Sequence, residues 1–172
     1  MIKIYKHKMI LILNFLILLS TASCKQESRK VHTTDEFTIT YPSSLELDQS
    51  GQEGTSFILK TEKQGDNDVF VENINLATKN VGNVSFDEFS TKTEKDIKSA
   101  VSIKEAKRIK LNNSDCLRLV FNLVQNNVEL TFVQHYYIKN KKAYVLTFSS
   151  ESKMYDSFFE DMNKTLLSFK LK

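Results

Sequence analysis

SDCLRLVFNLVQNNVELTFVQHYYIKNKKAYVLTFSS, residues 114–150, decides the fold. Apolar residues recur at alternate positions, the period of a strand whose side chains point to opposite faces. Asn126-Asn127 interrupts the alternation, and Asn tolerates the positive φ that a two-residue type I′ hairpin needs. With a two-residue loop there, Gln125 faces Val128, Leu123 faces Leu130, Phe121 faces Phe132 and Leu117 faces Tyr136. That side is continuously apolar and is expected to be core. The other side pairs Val124 with Glu129, Val120 with Val133 and Arg118 with His135. It is mixed, and is expected to be solvated or only partly covered.

The next connection is a question of parity. Tyr144, Leu146 and Phe148 should join the apolar side, yet a two-residue loop at Asn140-Lys141 places them on the mixed side. The sequence therefore predicts either an odd-length loop or bulge within Lys139 to Lys142, or a helix covering the mixed face. Upstream, IKEAKRIKL (103–111) and the Asn112-Asn113 turn extend the meander to four strands, over 103–111, 114–125, 128–138 and 143–150.

Outside the meander, FTITY (37–41), GTSFILKTE (54–62) and VFVENINLATKN (69–80) read as three further strands, with Phe37, Ile39 and Tyr41 on one face of the first. GDND (65–68) reads as a polar turn, because it lacks the alternating ligands and terminal Glu of a calcium loop. Helical spacing takes over in SFDEFSTKTEKDIKSAVS (85–102), where Phe86, Phe89, Thr93, Ile97, Ala100 and Val101 form one stripe. Ser85 with Glu88 is a capping box. SKMYDSFFEDMNKTLLSFKLK (152–172) is helical through about Leu167, with Tyr155, Phe158, Phe159, Met162 and Leu166 as its apolar stripe. The order is three strands, helix, four strands, helix. It lacks the βαβ rhythm of a doubly wound sheet, so the class is α+β, an antiparallel sheet of six or seven strands flanked by two main helices.

The N-terminus reads as an address. MIKIYKHK is basic, Met9 to Leu19 is an apolar run of 11 residues interrupted only by Asn14, and STAS follows. This is the layout of a secretory signal. Eleven helical residues rise about 16 Å, short of a bilayer core of roughly 30 Å. Thr21-Ala22-Ser23-Cys24 resembles a bacterial lipobox, although Thr21 stands where Leu is usual. That resemblance implies removal of residues 1–23, lipidation of Cys24, and a membrane partner held through its acyl chains. Two or more chains anchor stably where one is marginal. The rival use of Cys24 is a disulfide with Cys116, the only other cysteine in the chain. Residues 24–35, CKQESRKVHTTD, are polar after Cys24 and read as a flexible tether to a domain over 36–172. Lys25-Gln26-Glu27 resembles the Lys-then-acidic sorting signal of some Bacteroidota lipoproteins, with Gln26 departing from it. The expected location is the bacterial cell envelope, at the outer membrane.

Charge points the same way. The formal net charge is +3, but Lys3, Lys6 and Lys8 lie in the leader and no acidic residue does. Removing those three from the 24 Lys and Arg leaves 21, against 21 Asp and Glu. A mature chain without net charge has no electrostatic reason to bind nucleic acid.

The domain resembles the PsbP family, named after an extrinsic photosystem II subunit. The resemblance is carried by FTITYP (37–42), FVENINLAT (70–78), VSFDEF (84–89), VQHYYIKNKKAYVLTFSS (133–150) and LLSFKLK (166–172). It implies an antiparallel sheet with helices on both faces, which would cover the mixed side. It also implies binding or accessory roles without chemistry, and no cofactor.

Candidate chemistry is sparse. Arg118 and His135 sit cross-strand on the mixed face and are the polar pair singled out, with Cys116 two residues from Arg118. In this register Cys116 faces Tyr137 rather than His135, so it makes a poor Cys–His nucleophile. A neighbouring Arg also keeps a histidine neutral rather than making it a strong base. His32 and His135 have no Cys or His neighbour at metal-ligand spacing. Lys139, Lys141 and Lys142 form a basic loop tip. The expected function is a membrane-anchored envelope lipoprotein with a non-catalytic binding or accessory domain. The alternatives are a carrier of a small apolar ligand held between sheet and helix, and a thiol-dependent or hydrolytic enzyme.

Overall fold

The computed structural model describes residues 28–66 and 68–172. The expected leader, Cys24 and residues 25–27 of the tether lie outside them. The described elements are β1 (Arg29–Thr33), β2 (Phe37–Pro42), β3 (Glu46–Asp48), β4 (Thr55–Lys60), β5 (Asn73–Asn80), α1 (Phe86–Ala100), β6 (Ile103–Leu111), β7 (Ser114–Gln125), β8 (Val128–Lys139), β9 (Lys142–Glu151), α2 (Tyr155–Ser168) and β10 (Lys170–Leu171). Seven strands form one antiparallel sheet in the order β3-β4-β5-β9-β8-β7-β6, and β1-β2-β10 form a smaller one. The class is α+β, with two helices on opposite faces of the large sheet.

Tight turns set the meander. Asn112 and Asn113 have φ of 48° and 66°, Asn126 and Asn127 of 51° and 63°, and Asn140 and Lys141 of 52° and 65°. Positive φ at both central positions is the type I′ signature, whose twist matches the flanking strands. The β7–β8 register is the one the sequence predicts, from Leu117 opposite Tyr136 to Gln125 opposite Val128, with Arg118 opposite His135. The β8–β9 loop also has two residues, so Tyr137 faces Tyr144, His135 faces Leu146 and Val133 faces Phe148. No bulge intervenes; the helical alternative is the one realised.

That choice makes core of both faces, the apolar side as expected and the mixed side as well. The mixed face is the larger core: Val120, Val133, Tyr137, Tyr144, Leu146 and Phe148 meet Ile39 and Tyr41 of β2 and Met162 and Leu166 of α2. The continuously apolar face carries the smaller cluster, where Leu117, Leu119, Phe121 and Tyr136 pack under Phe86, Phe89 and Ile97 of α1. The mixed side is covered because β2 and α2 together make a second layer over it, with Phe37 against Phe169 at 5.4 Å between ring centroids. Helix α1 begins with the predicted box: the Glu88 N–H donates to Ser85 Oγ at 3.2 Å, and the Ser85 N–H donates to Glu88 Oε2 at 3.0 Å.

Three further differences have local causes. FTITY forms β2 with Phe37, Ile39 and Tyr41 buried as expected, but it pairs with β1 and β10 rather than joining the large sheet. The tether expected over 24–35 is cut short, because residues 29–33 form β1 against β2, from Arg29 opposite Pro42 to Thr33 opposite Thr38. Backbone pairing stabilises β1 while four of its five side chains stay exposed, so it leaves no apolar pattern. The third strand starts at Asn73 rather than Val69, after a loop in which the Asp68 N–H donates to the Gly65 carbonyl at 3.2 Å.

Lys141 is the one turn residue of the three hairpins that is not Asn, and a straight L-side chain in the left-handed region costs about 1 kcal/mol. Lys141→Gly is expected to raise stability by up to about 1 kcal/mol. The check is the urea midpoint at unchanged slope; a fall in midpoint would contradict the turn assignment.

Candidate functional site

The pair singled out from sequence is brought together as expected. β7 and β8 place Arg118 directly opposite His135. Both project into the larger core, where His135 is fully buried. Arg118 avoids an uncompensated buried charge by reaching sideways to the sheet edge, where its guanidinium pairs with Glu105 of β6. The other Glu105 oxygen receives the Lys107 ammonium at 2.7 Å. The stem of Arg118 is buried while the charge sits at the rim, the usual compromise for a long cationic side chain.

His135 has no such exit. Its Nδ1 lies 3.4 Å from the Tyr137 hydroxyl, and Nε2 has no hydrogen-bond partner among the described residues. Burial, with the Arg118 charge adding to it, pushes the imidazole down to about 3. The ring is therefore neutral at any physiological pH. The Tyr137 hydroxyl also bonds to the Cys116 thiol, and burial pushes that thiol up to about 12. Cys116 is fully buried. A protonated, inaccessible thiol beside a neutral, inaccessible imidazole is a sealed polar seam in the core. It can fix register and packing, but it offers neither a nucleophile nor a base to a ligand from solvent. His32, the other histidine considered, packs edge-on against Phe37 and Phe57 at 5.6 and 5.7 Å.

Two buried carboxyls, Glu72 and Glu151, went unread in the sequence. Glu72 is 2% exposed, and its Oε1 accepts from the Glu151 N–H at 3.3 Å and from Ser150 Oγ at 3.4 Å. Burial is the main cause that raises its pKa. It lies just before β5, inside a stretch that reads as plain strand, so only the third dimension reveals it. Beside it, Glu151 pairs with the Lys153 ammonium at 2.6 Å. An open groove of about 390 Å³ is lined by Pro42, Leu45, Thr61, Phe158 and Met162, between the start of α2 and the loops after β2 and β4. Among the described residues no group of three or more His, Cys, Asp or Glu side chains is placed to hold a metal ion. No described helix is long and apolar enough to cross a membrane.

No family model matches the sequence, and no curated protein matches it. Solved structures do match. The cyanobacterial PsbP protein CyanoP from Synechocystis sp. PCC 6803 superposes with a TM-score of 0.62 at 16% identity, over 89% of this chain and 98% of its own. The fold is PsbP-like. LpqN, involved in cell envelope biogenesis of Mycobacterium tuberculosis, gives 0.59 at 10% identity, over 87% of each chain. A Pseudomonas aeruginosa protein of unknown function, PA94, gives 0.58 at 8% identity, over 81% of this chain and 94% of its own. At such identities the likeness is one of fold.

The buried imidazole sets a pH dependence. Its folded pKa lies below the unfolded value, so the unfolded chain binds more protons and stability rises with pH. The contribution is complete above about pH 6.5 and is lost as pH falls toward about 3. Between pH 7 and 5 the wild-type protein is expected to lose about 2 kcal/mol more than His135→Gln does. Urea unfolding of both proteins at the two pH values is the measurement; parallel losses would mean that His135 is protonated when folded.

Proposed function

We propose that this chain is a lipid-anchored protein of the bacterial cell envelope whose PsbP-like domain serves as a non-catalytic binding or accessory module. The observation that carries the address is the run from the basic octapeptide through the 11-residue apolar stretch to Thr21-Ala22-Ser23-Cys24. Diacylglyceryl attachment at Cys24 supplies the membrane partner. The fold agrees with this setting, since LpqN, which is involved in cell envelope biogenesis, has the same architecture. The outer membrane is the compartment favoured by the Lys25-Gln26-Glu27 sequence.

The module reading rests on the sealed seam. Arg118 is committed to Glu105, His135 is neutral and buried, and Cys116 is protonated and buried. The thiol-enzyme alternative is left without an accessible nucleophile. Burial of Cys116 also works against a Cys24–Cys116 bridge. The carrier alternative keeps one feature in its favour, the groove floored by Leu45, Phe158 and Met162. It is open along its length, however, and the space between sheet and α2 is filled by Tyr137, Phe148 and Phe169.

Intact-mass and peptide analysis of membrane-extracted protein tests the address. The N-terminal peptide is expected to begin at Cys24 and carry acyl mass, and Cys24→Ala is expected to lose both. A soluble mature protein with a Cys24–Cys116 bridge would overturn the reading. The Cys116 thiol is expected to resist a membrane-permeant maleimide in the native protein and to react on unfolding in urea; rapid native labelling would restore the thiol-enzyme alternative.

A further inference from the structure

The β1 strand shortens the link between Cys24 and the domain, and this fixes which end of the domain meets the membrane. Four residue steps separate Cys24 from Ser28, the first described residue, a reach of at most about 14 Å. Ser28 is held in place: its carbonyl accepts from the Ser43 N–H at 2.8 Å. The next residue, Arg29, is pinned through its guanidinium to the Thr40 carbonyl at 3.1 Å and to Thr165 Oγ1 of α2 at 3.0 Å. A domain leashed this closely at a rigid point has one end beside the anchor.

The registers identify that end. β1 starts there, and β2 ends there at Pro42, since Arg29 faces Pro42. Glu46 of β3 faces Lys60 at the end of β4, and Lys60 faces Asn73 at the start of β5. Asn73 faces Ser149, close to the end of β9, while Glu151 faces Leu130 near the start of β8 and Gln125 faces Val128 at the β7–β8 turn. The tether end therefore gathers the loop after Pro42, the loop over 61–72, the β7–β8 turn and the start of α2. Val69 shares a shallow depression with Asn127 and Val128, so the long loop lies against the hairpin tip.

This end also holds most of the exposed apolar side chains. Of the five large hydrophobic residues that stand exposed among the described residues, Val69 (69%), Leu123 (41%) and Val124 (66%) lie here. Val31 and Leu167 lie elsewhere. Exposed single apolar residues are ordinary, but here three surround one tip, with Leu123 and Val124 on its two opposite faces and Val69 in the loop beside it, at the end where the chain leaves for its anchor. The charges beside it are of both signs, with Glu62, Asp66, Asp68 and Glu129 alongside Lys63 and Lys153. No basic cluster is available to hold an anionic surface.

The geometry points to a membrane-docking face: Val69, Leu123 and Val124 rest in the headgroup region of a zwitterionic phospholipid surface, with the domain standing on its tether end. The inference depends on lipidation of Cys24. Three apolar side chains are too few to bind a membrane alone, and the leash makes their contact intramolecular at high effective concentration. With no basic cluster at this end among the described residues, the contact is apolar in origin, so it resists salt.

The full-length acylated protein, reconstituted in phosphatidylcholine vesicles, tests this with an environment-sensitive NBD label at single introduced cysteines. Val69→Cys and Val124→Cys report the tether end, and Lys79→Cys and Lys110→Cys report the opposite one. All four positions are exposed, so the substitutions leave the core intact. Labels at 69 and 124 are expected to shift to the blue and to be quenched severalfold more by nitroxide lipids than labels at 79 and 110, unchanged in 0.5 M salt (about a 4 Å Debye length). Uniformly aqueous labels on a protein whose N-terminal peptide is acylated would overturn the docking face alone. Quenching at 79 and 110 instead would invert the orientation and overturn it as well. An unacylated N-terminal peptide would overturn the anchor and, with it, the docking.

Discussion

The two-residue turns that join β7, β8 and β9 are the constraint on which the rest depends. Side-chain direction in a strand has a period of two, so a turn of fixed length assigns every residue on both sides of it to a face. Asn126-Asn127 and Asn140-Lys141 each hold two consecutive residues at positive φ. Together they place Arg118, His135 and Leu146 in one cross-strand row. A single added residue in either loop would have sent Tyr144, Leu146 and Phe148 to the α1 side. The larger core, and with it the need for β2 and α2 as a covering layer, follows from loop length.

Much of this was legible because the turns are. Asn pairs mark the ends of β6 and β7 so sharply, and Asn140-Lys141 the end of β8, that those boundaries agree with the structure almost residue by residue. The α1 cap was equally plain, because Ser85 and Glu88 sit at the spacing that satisfies two free N–H groups at once. β1 was not legible, for a physical reason. RKVHT is held by backbone bonds to β2 and by the Arg29 side chain, and neither leaves a hydrophobic period. β3 and β10, three and two residues long, are too short to show a period at all. The membership of FTITY was missed for a different reason: its alternation reveals one buried face but not which strands lie beside it.

The candidate site shows where polarity misleads. Arg118 and His135 made one face of the meander look solvated, and yet that face is the deeper one. Each residue enters the core by a route invisible in one dimension. Arg118 borrows an acid from the neighbouring edge strand, Glu105, which stands 13 positions earlier in the chain. His135 gives up its charge, which costs little above pH 6.5 because the unfolded ring is neutral there too. The cross-strand pairing itself was predictable from turn length, but its burial depended on β2 and α2, elements outside the meander. Glu72 was missed for the same reason, since its partners Ser150 and Glu151 lie at the far end of a strand that pairs with its own.

In the proposed lipid-anchored protein, β1 would also tie the fold to its location. A tether of a dozen flexible residues would let the domain tumble tens of ångströms from its anchor, and no face would be preferred. Pairing of residues 29–33 with β2 removes most of that freedom and leaves the reach of four residues. If Cys24 is lipidated as proposed, the same hydrogen bonds that close the small sheet over Phe37 and Ile39 decide which loops lie beside the anchor. A polar strand with almost no buried side chain contributes little to the core, but it sets the orientation of everything the core supports. Lengthening the link ahead of Arg29 would leave the fold intact and remove only the orientation proposed for it, which separates the two roles of the segment.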